Sequence, residues 1–218
     1  PPGVEVNKLI DNLRSFSWEA ADILLYYANI IKKLEQKNEI LKNKNNDDPV
    51  TLADLEVNEL IINRINQTYQ DTNWEILSEE NFKIQSNYFN NVDWLWVLDP
   101  LDGTKDFIQG TQSYAMHLAL NYKRKPYIGI VLIPEKDELW ISYEEKIWCE
   151  NRDGNIRKQN MSETNILEKM TIVTSKNHRN QKLNDLIEKI NFKKTILMGS
   201  IGSVLKFLLI SFPFQEDF

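Results

Sequence analysis

V-L-D-P-L-D-G-T-K-D-F, residues 97–107, follows N-V-D-W-L-W, so a dense apolar run stops at two aspartates three positions apart. Taken alone, Asp-Pro-x-Asp-Gly reads as a type I turn, with Asp at its first position and Pro at its second. The run before it changes that reading. Trp94 to Leu98 is apolar at consecutive positions, the pattern of a strand buried on both faces. Asp99 and Asp102 at the end of such a strand repel each other and resist desolvation unless a cation lies between them. A hard divalent cation fits better than a lysine, because the turn lets the Leu101 carbonyl point at the same spot as both carboxylates. Gly103 and Thr104 then open a short helix, whose free amides suit a phosphoryl group.

Outward from this stretch, the chain divides by periodicity. Val6, Leu9, Ile10, Leu13, Ala20, Ala21, Leu24, Tyr27, Ala28, Ile31 and Leu34 recur at three- and four-residue spacing, which predicts amphipathic helix over 5–36 with a break at Ser15 to Ser17. Asp48-Pro49-Val50 reads as a turn, and a second helix is expected from Thr51 to about Gln70. From Trp74 the pattern shortens to W-E-I-L-S, W-L-W-V-L, A-M-H-L-A-L, Y-I-G-I-V-L-I, E-L-W-I-S and K-I-W-C-E, expected as hairpin-linked, mostly antiparallel strands. After residue 165 the register becomes strand (170–174), helix (180–190), strand (195–198) and a helix start at Ser203. The expectation is an α+β domain over 1–165 and an incomplete α/β domain over 166–218.

Composition bounds the function. The 218 residues are 42% apolar and 11% aromatic, enough for a substantial core, and a net charge of -6 argues against a nucleic-acid polymer as partner. The longest apolar runs fall far short of the roughly 20 residues that span a bilayer, so no stable membrane insertion is expected. Cys149 is the one cysteine, which fits a reducing compartment. The chain opens Pro-Pro-Gly without a methionine, which leaves room for a preceding segment.

Two further stretches carry acidic residues. In I-L-S-E-E-N, Glu79 and Glu80 close a short apolar strand, with a solvated loop as the bland reading. In P-V-T-L-A-D, Thr51 and Asp54 have the spacing of a capping-box variant. His117 alternates with Met116 and Leu118 and reads as a core or sheet-face histidine, His178 as a loop residue, and Lys206 as an exposed lysine.

The order V-T-x-A-D, S-E-E, D-P-L-D-G-T resembles the inositol monophosphatase superfamily of Mg²⁺-dependent, lithium-sensitive phosphatases. Within it the Gly-Thr-Lys-Asp-Phe continuation at 103–107, T-S-K-N-H ending at His178 and G-S-V-L-K-F at 202–207 are most similar to the 3'(2'),5'-bisphosphate nucleotidases. The resemblance implies a layered αβαβα sugar-phosphatase fold and a site holding two or three Mg²⁺ ions. Its metal ligands would be Glu79, Asp99, the Leu101 carbonyl and Asp102, with Asp54 and Thr104 orienting an attacking, metal-activated water. Leu101 to Thr104 would hold the scissile phosphate, and Ser175, His178, Ser203 and Lys206 the rest of a small phosphorylated nucleotide. It implies removal of the 3'-phosphate of adenosine 3',5'-bisphosphate in the cytoplasm, with peripheral association at the inner membrane as a variant.

One departure stands against the resemblance. The family's Trp-Asp pair, whose aspartate completes the metal site, has no counterpart here, and the chain ends S-F-P-F-Q-E-D-F. The expectation is a fragment or a reading frame lost near residue 210, weakly active or inactive by itself. The alternatives are an inositol or related sugar phosphatase, and a non-catalytic remnant that binds metal or nucleotide. Oligomeric state is not legible.

Overall fold

The computed structural model describes residues 1, 3–33, 41–43, 49–79, 92–158, 166–175 and 180–198. Helix α1 (Val6–Lys32) buries Leu9, Leu13, Phe16, Ala20, Leu24, Ala28 and Ile31 along one stripe, the spacing that its sequence demands. The break expected at Ser15 to Ser17 does not occur, and α1 is one helix of 27 residues. Phe16 and Ser17 are buried on its inner face, and Ala20 and Ala21 let the helix lie close to its neighbours.

The turn expected at Asp48-Pro49-Val50 is replaced, over its described part, by strand β2 (Pro49–Thr51), antiparallel to β1 (Leu41–Asn43). Proline within sheets is confined to edge strands, strand starts and bulges, and Pro49 is the first residue of β2. β2 leads straight into α2 (Leu52–Thr68), which packs on α1 through Ala53, Val57, Ile61 and Ile65.

Beneath the helices lies a sheet of seven described strands in chain order: β3 (Glu75–Ser78), β4 (Trp94–Asp102), β5 (Ala115–Tyr122), β6 (Lys125–Ile133), β7 (Glu138–Tyr143), β8 (Lys146–Glu150) and β9 (Ile156–Lys158). From β4 onward every neighbour is antiparallel, as the hairpin signals predict. β3 differs, running parallel to β4 with Ser78 level with Leu98. Parallelism puts the ends of both strands, and their acidic residues, at the same edge.

The helices cover one face of the sheet. Trp96, Leu98, Met116, Leu118, Leu120, Ile128, Ile130 and Leu132 point into that core, while Leu95, Val97 and Asp99 face the other way and are half-buried. The run Trp94 to Leu98 is therefore buried on one face rather than both. On the second face Ala115, Val131 and Ile133 form a smaller cluster with Trp140 and Ile147.

Further along, β10 (Thr171–Ser175), α4 (Gln181–Ile190) and β11 (Lys194–Met198) form a separate βαβ unit with parallel strands. Asn180 caps α4, its side chain accepting from the Leu183 amide at 2.9 Å. The helix expected from Ser203 lies outside the described residues.

Between the helices, the Tyr27 hydroxyl donates to Glu56, and burial together with this carboxylate pushes the phenol from 10 up to about 12. The folded chain thus keeps a proton that the unfolded chain gives up first. Stability from this group is complete below pH 10 and is lost as pH rises through about 12. Thermal melts from pH 9 upward are expected to fall less steeply in Tyr27→Phe than in wild type; equal slopes would remove Tyr27 from the alkaline transition.

Candidate functional site

The two aspartates reach one cleft through an irregularity in β4. Side chains alternate along a strand, so residues three apart point to opposite faces. Between β4 and β5, however, Asp99 pairs with His117 and Asp102 with Ala115, three steps on one strand against two on the other. The extra residue is a bulge, and it returns Asp102 to the face that Asp99 already occupies. Glu79 follows Ser78, the last residue of β3, which is level with Leu98 just before Asp99.

These residues line an open cleft of about 550 Å³, walled by Ser78, Glu79, Asp99, Leu101, Asp102, Gly103 and Thr104 beside apolar Leu77, Val97 and Leu98. Glu79 is exposed, Asp99 and Asp102 half-buried, and Leu101 buried at 1% exposure. Ser78, which the sequence reading did not single out, is also on the wall and only 2% exposed. Its signal was its position, the last residue of β3 before the two glutamates.

Gly103 turns the chain from strand to helix at φ 89°, a left-handed conformation that side chains resist. α3 (Thr104–Ile108) is a single turn, so its dipole is slight, and what it contributes is placement. The Thr104 hydroxyl donates to the Leu101 carbonyl at 3.0 Å and ties the turn together. Phe107 anchors the helix from below, packing edge-on against Tyr114 with ring centres 4.7 Å apart. The Tyr114 hydroxyl in turn donates to Glu135 at 3.2 Å, and Glu135 accepts from Lys32 at the end of α1 at 3.0 Å. Burial, with Glu135 alongside, pushes the Tyr114 phenol far above its ordinary range, so it remains a donor.

An alanine at Gly103 must adopt the left-handed conformation at a cost of roughly 1–2 kcal/mol. For a chain of this size that corresponds to a melting temperature lower by roughly 2–8 °C. A Gly103→Ala melt unchanged in differential scanning calorimetry would contradict the geometry of this turn.

Asp54 sits in the first turn of α2, buried at 6% exposure. It is not on the cleft wall, although α3 lies against β2, the strand leading into α2. Ser175 ends β10, but its side chain, like His178, Ser203 and Lys206, lies outside the described residues. Among the described residues no three His, Cys, Asp or Glu side chains are gathered closely enough to enclose one ion. The carboxylates instead ring the cleft. Their chemistry still fits a hard cation, since the wall's polar side chains offer only oxygen: three carboxylates and the Ser78 and Thr104 hydroxyls, with the Leu101 carbonyl beside them.

Comparison with known proteins places the chain in a family. The sequence profile of the inositol monophosphatase family matches residues 6–210. The chain belongs to the inositol monophosphatase family. This is a family of phosphatases, as the order of acidic stretches implies. A relative, the 3'(2'),5'-bisphosphate nucleotidase CysQ of Buchnera aphidicola, is 28% identical over 207 residues, covering 94% of this chain and 72% of that protein. CysQ of Escherichia coli K12 is 26% identical over 206 residues, covering 93% of this chain and 76% of its own. Among solved structures, the extragenic suppressor protein suhB of Bartonella henselae superposes with a TM-score of 0.65 at 19% identity, covering 94% of this chain and 75% of that one. CysQ of Bacteroides thetaiotaomicron does so with a TM-score of 0.58 at 20% identity, over 83% and 68%. At these identities the structures establish the inositol monophosphatase fold alone. Among the described residues no helix is long and apolar enough to cross a membrane.

Proposed function

We propose that the chain is a Mg²⁺-dependent phosphomonoesterase that removes the 3'-phosphate of adenosine 3',5'-bisphosphate, giving AMP and phosphate. The observation that carries this reading is the bulge in β4, which sets Asp99 and Asp102 on one cleft wall together with Glu79, the residue after β3. Glu79, Asp99, Asp102 and the Leu101 carbonyl would hold the cations, two or three of them by analogy with the family. Bound there, Mg²⁺ supplies neutralisation of phosphoryl charge and activation of water. Leu101 to Thr104 would seat the phosphoryl group, and the Thr104 hydroxyl, fixed on the Leu101 carbonyl, would orient the attacking water with Glu79, while Asp54, off the cleft wall in the first turn of α2, would have to act on it from beyond that wall. Ser175, His178, Ser203 and Lys206 would contact the nucleotide.

The nucleotide substrate, rather than an inositol phosphate, is supported by likeness to bisphosphate nucleotidases over nearly the whole chain and by exposed Lys105 beside the cleft. A cytoplasmic location goes with that substrate. The ratio between substrates is the decisive quantity. Phosphate release from adenosine 3',5'-bisphosphate is expected to exceed release from inositol 1-phosphate and to require Mg²⁺. Preference for inositol 1-phosphate would overturn the substrate assignment. Mg²⁺ and nucleotide binding by calorimetry without any turnover would favour a binding protein instead.

A further inference from the structure

The sequence reading left His117 as a sheet-face histidine without a function. The structure puts it against the acidic cleft. On β5 it pairs with Asp99, and its Nε2 lies 3.3 Å from Asp102 Oδ2, so the ring stands where the bulge brings the two aspartates together. The residue is 5% exposed, and its Nδ1 is buried with no hydrogen-bond partner among the described residues.

We propose that His117 is a positioning residue, whose Nε2–H donates to Asp102 Oδ2 and holds that carboxylate toward the cleft. This rests on the metal-site reading above. A neutral imidazole has one N–H. Placed on Nδ1, that hydrogen would be a buried donor without an acceptor, and a bare Nε2 would set its lone pair against the carboxylate. Placed on Nε2, it meets Asp102 and leaves only an acceptor unpartnered, the cheaper vacancy. Apolar neighbours hold the ring in place. Ala115 and Ala119 flank it on β5 and Val131 faces it from β6, none with a side chain able to hydrogen-bond, while Asp99 stands opposite it on β4. Orienting a ligating carboxylate through such a partner is worth about 10–100-fold in metal affinity.

Two measurements test this. In ¹⁵N-resolved imidazole spectra the chain has only His117 and His178, so His117 is assigned by its loss in His117→Gln. The Nε2–H tautomer is expected, and Asp102→Asn is expected to change its signals. An Nδ1–H ring, or one indifferent to Asp102→Asn, overturns the proposal. In calorimetric Mg²⁺ titrations His117→Ala and His117→Phe are expected to bind about 10–100-fold more weakly. His117→Gln, whose amide nitrogen reaches the position of Nε2, is expected to retain most of the affinity. A folded His117→Ala chain that binds Mg²⁺ as wild type does removes the role of His117 and leaves the metal reading intact. A wild-type chain that takes up no Mg²⁺ removes both.

Discussion

Asparagine at positions 99 and 102 is expected to abolish stabilisation by Mg²⁺ while leaving the metal-free chain as stable as wild type or more so. The substitution keeps shape and removes charge. Without a cation, Asp99, Asp102 and Glu79 share one wall, and their mutual repulsion is relieved by Asn. With Mg²⁺ at about 100 times its dissociation constant, a chain that binds it only when folded gains about 2.7 kcal/mol. At roughly 2–4 °C per kcal/mol for this chain length, the wild-type melting temperature rises by roughly 5–11 °C. Each single variant is expected to lose most of that rise and all detectable phosphate release. Asp106→Asn is the control, since Asp106 accepts from Thr111 at 2.9 Å and is not on the cleft wall. Scanning calorimetry with and without Mg²⁺ decides the matter. A wild-type melt indifferent to every divalent ion would sink the metal site, and Asp102→Asn shifting as wild type does would move it elsewhere.

What made this site legible in the sequence was local chemistry. Asp-Pro-Leu-Asp-Gly-Thr carries its own turn, its own carboxylates and a strand that must stop before it, so Asp99 to Thr104 could be placed without tertiary information. Helices α1 and α2 were legible for the same kind of reason, a stripe at helical spacing. What was not legible depended on partners. The parallel pairing of β3 and β4 is a property of two segments together, and nothing within W-E-I-L-S reveals it. The contact of His117 with Asp102 needed the bulge, because strict alternation puts residues 99 and 102 on opposite faces. Ser15 to Ser17 looked like a break because serine competes for backbone hydrogen bonds, but Phe16 and Ser17 lie buried against the core, and packing there outweighs a modest propensity cost. Trp94 to Leu98 misled in the opposite sense. Its apolar residues on the second face are half-buried, and composition by itself does not say how far each face is covered.

Trp96→Ala tests the part of the structure that carries the site. Trp96 is the third residue of β4, three residues before Asp99, and is 0% exposed. Its ring packs 6.3 Å from Tyr69 and 5.9 Å from Trp74, so it joins β4 to the end of α2 and to the approach to β3. Truncation to alanine loses that burial and leaves a cavity, a cost of about 3–5 kcal/mol and, at 2–4 °C per kcal/mol, a melting temperature lower by roughly 6–20 °C. The indole N–H complicates the account, because it is buried without a partner among the described residues. Such a donor costs about 1–3 kcal/mol in the folded state. Trp96→Phe loses volume but also removes that unpaired donor, and the two effects oppose each other. It is therefore expected to melt much closer to wild type than Trp96→Ala does, and to keep the full Mg²⁺ shift. If the phenylalanine variant falls as far as the alanine one, the indole nitrogen is paired in solution and the cost lies in that bond rather than in packing. If the alanine variant barely moves, the helices and β4 are not held together at this point, and the placement of Asp99 and Asp102 must depend on the bulge and on α3 instead.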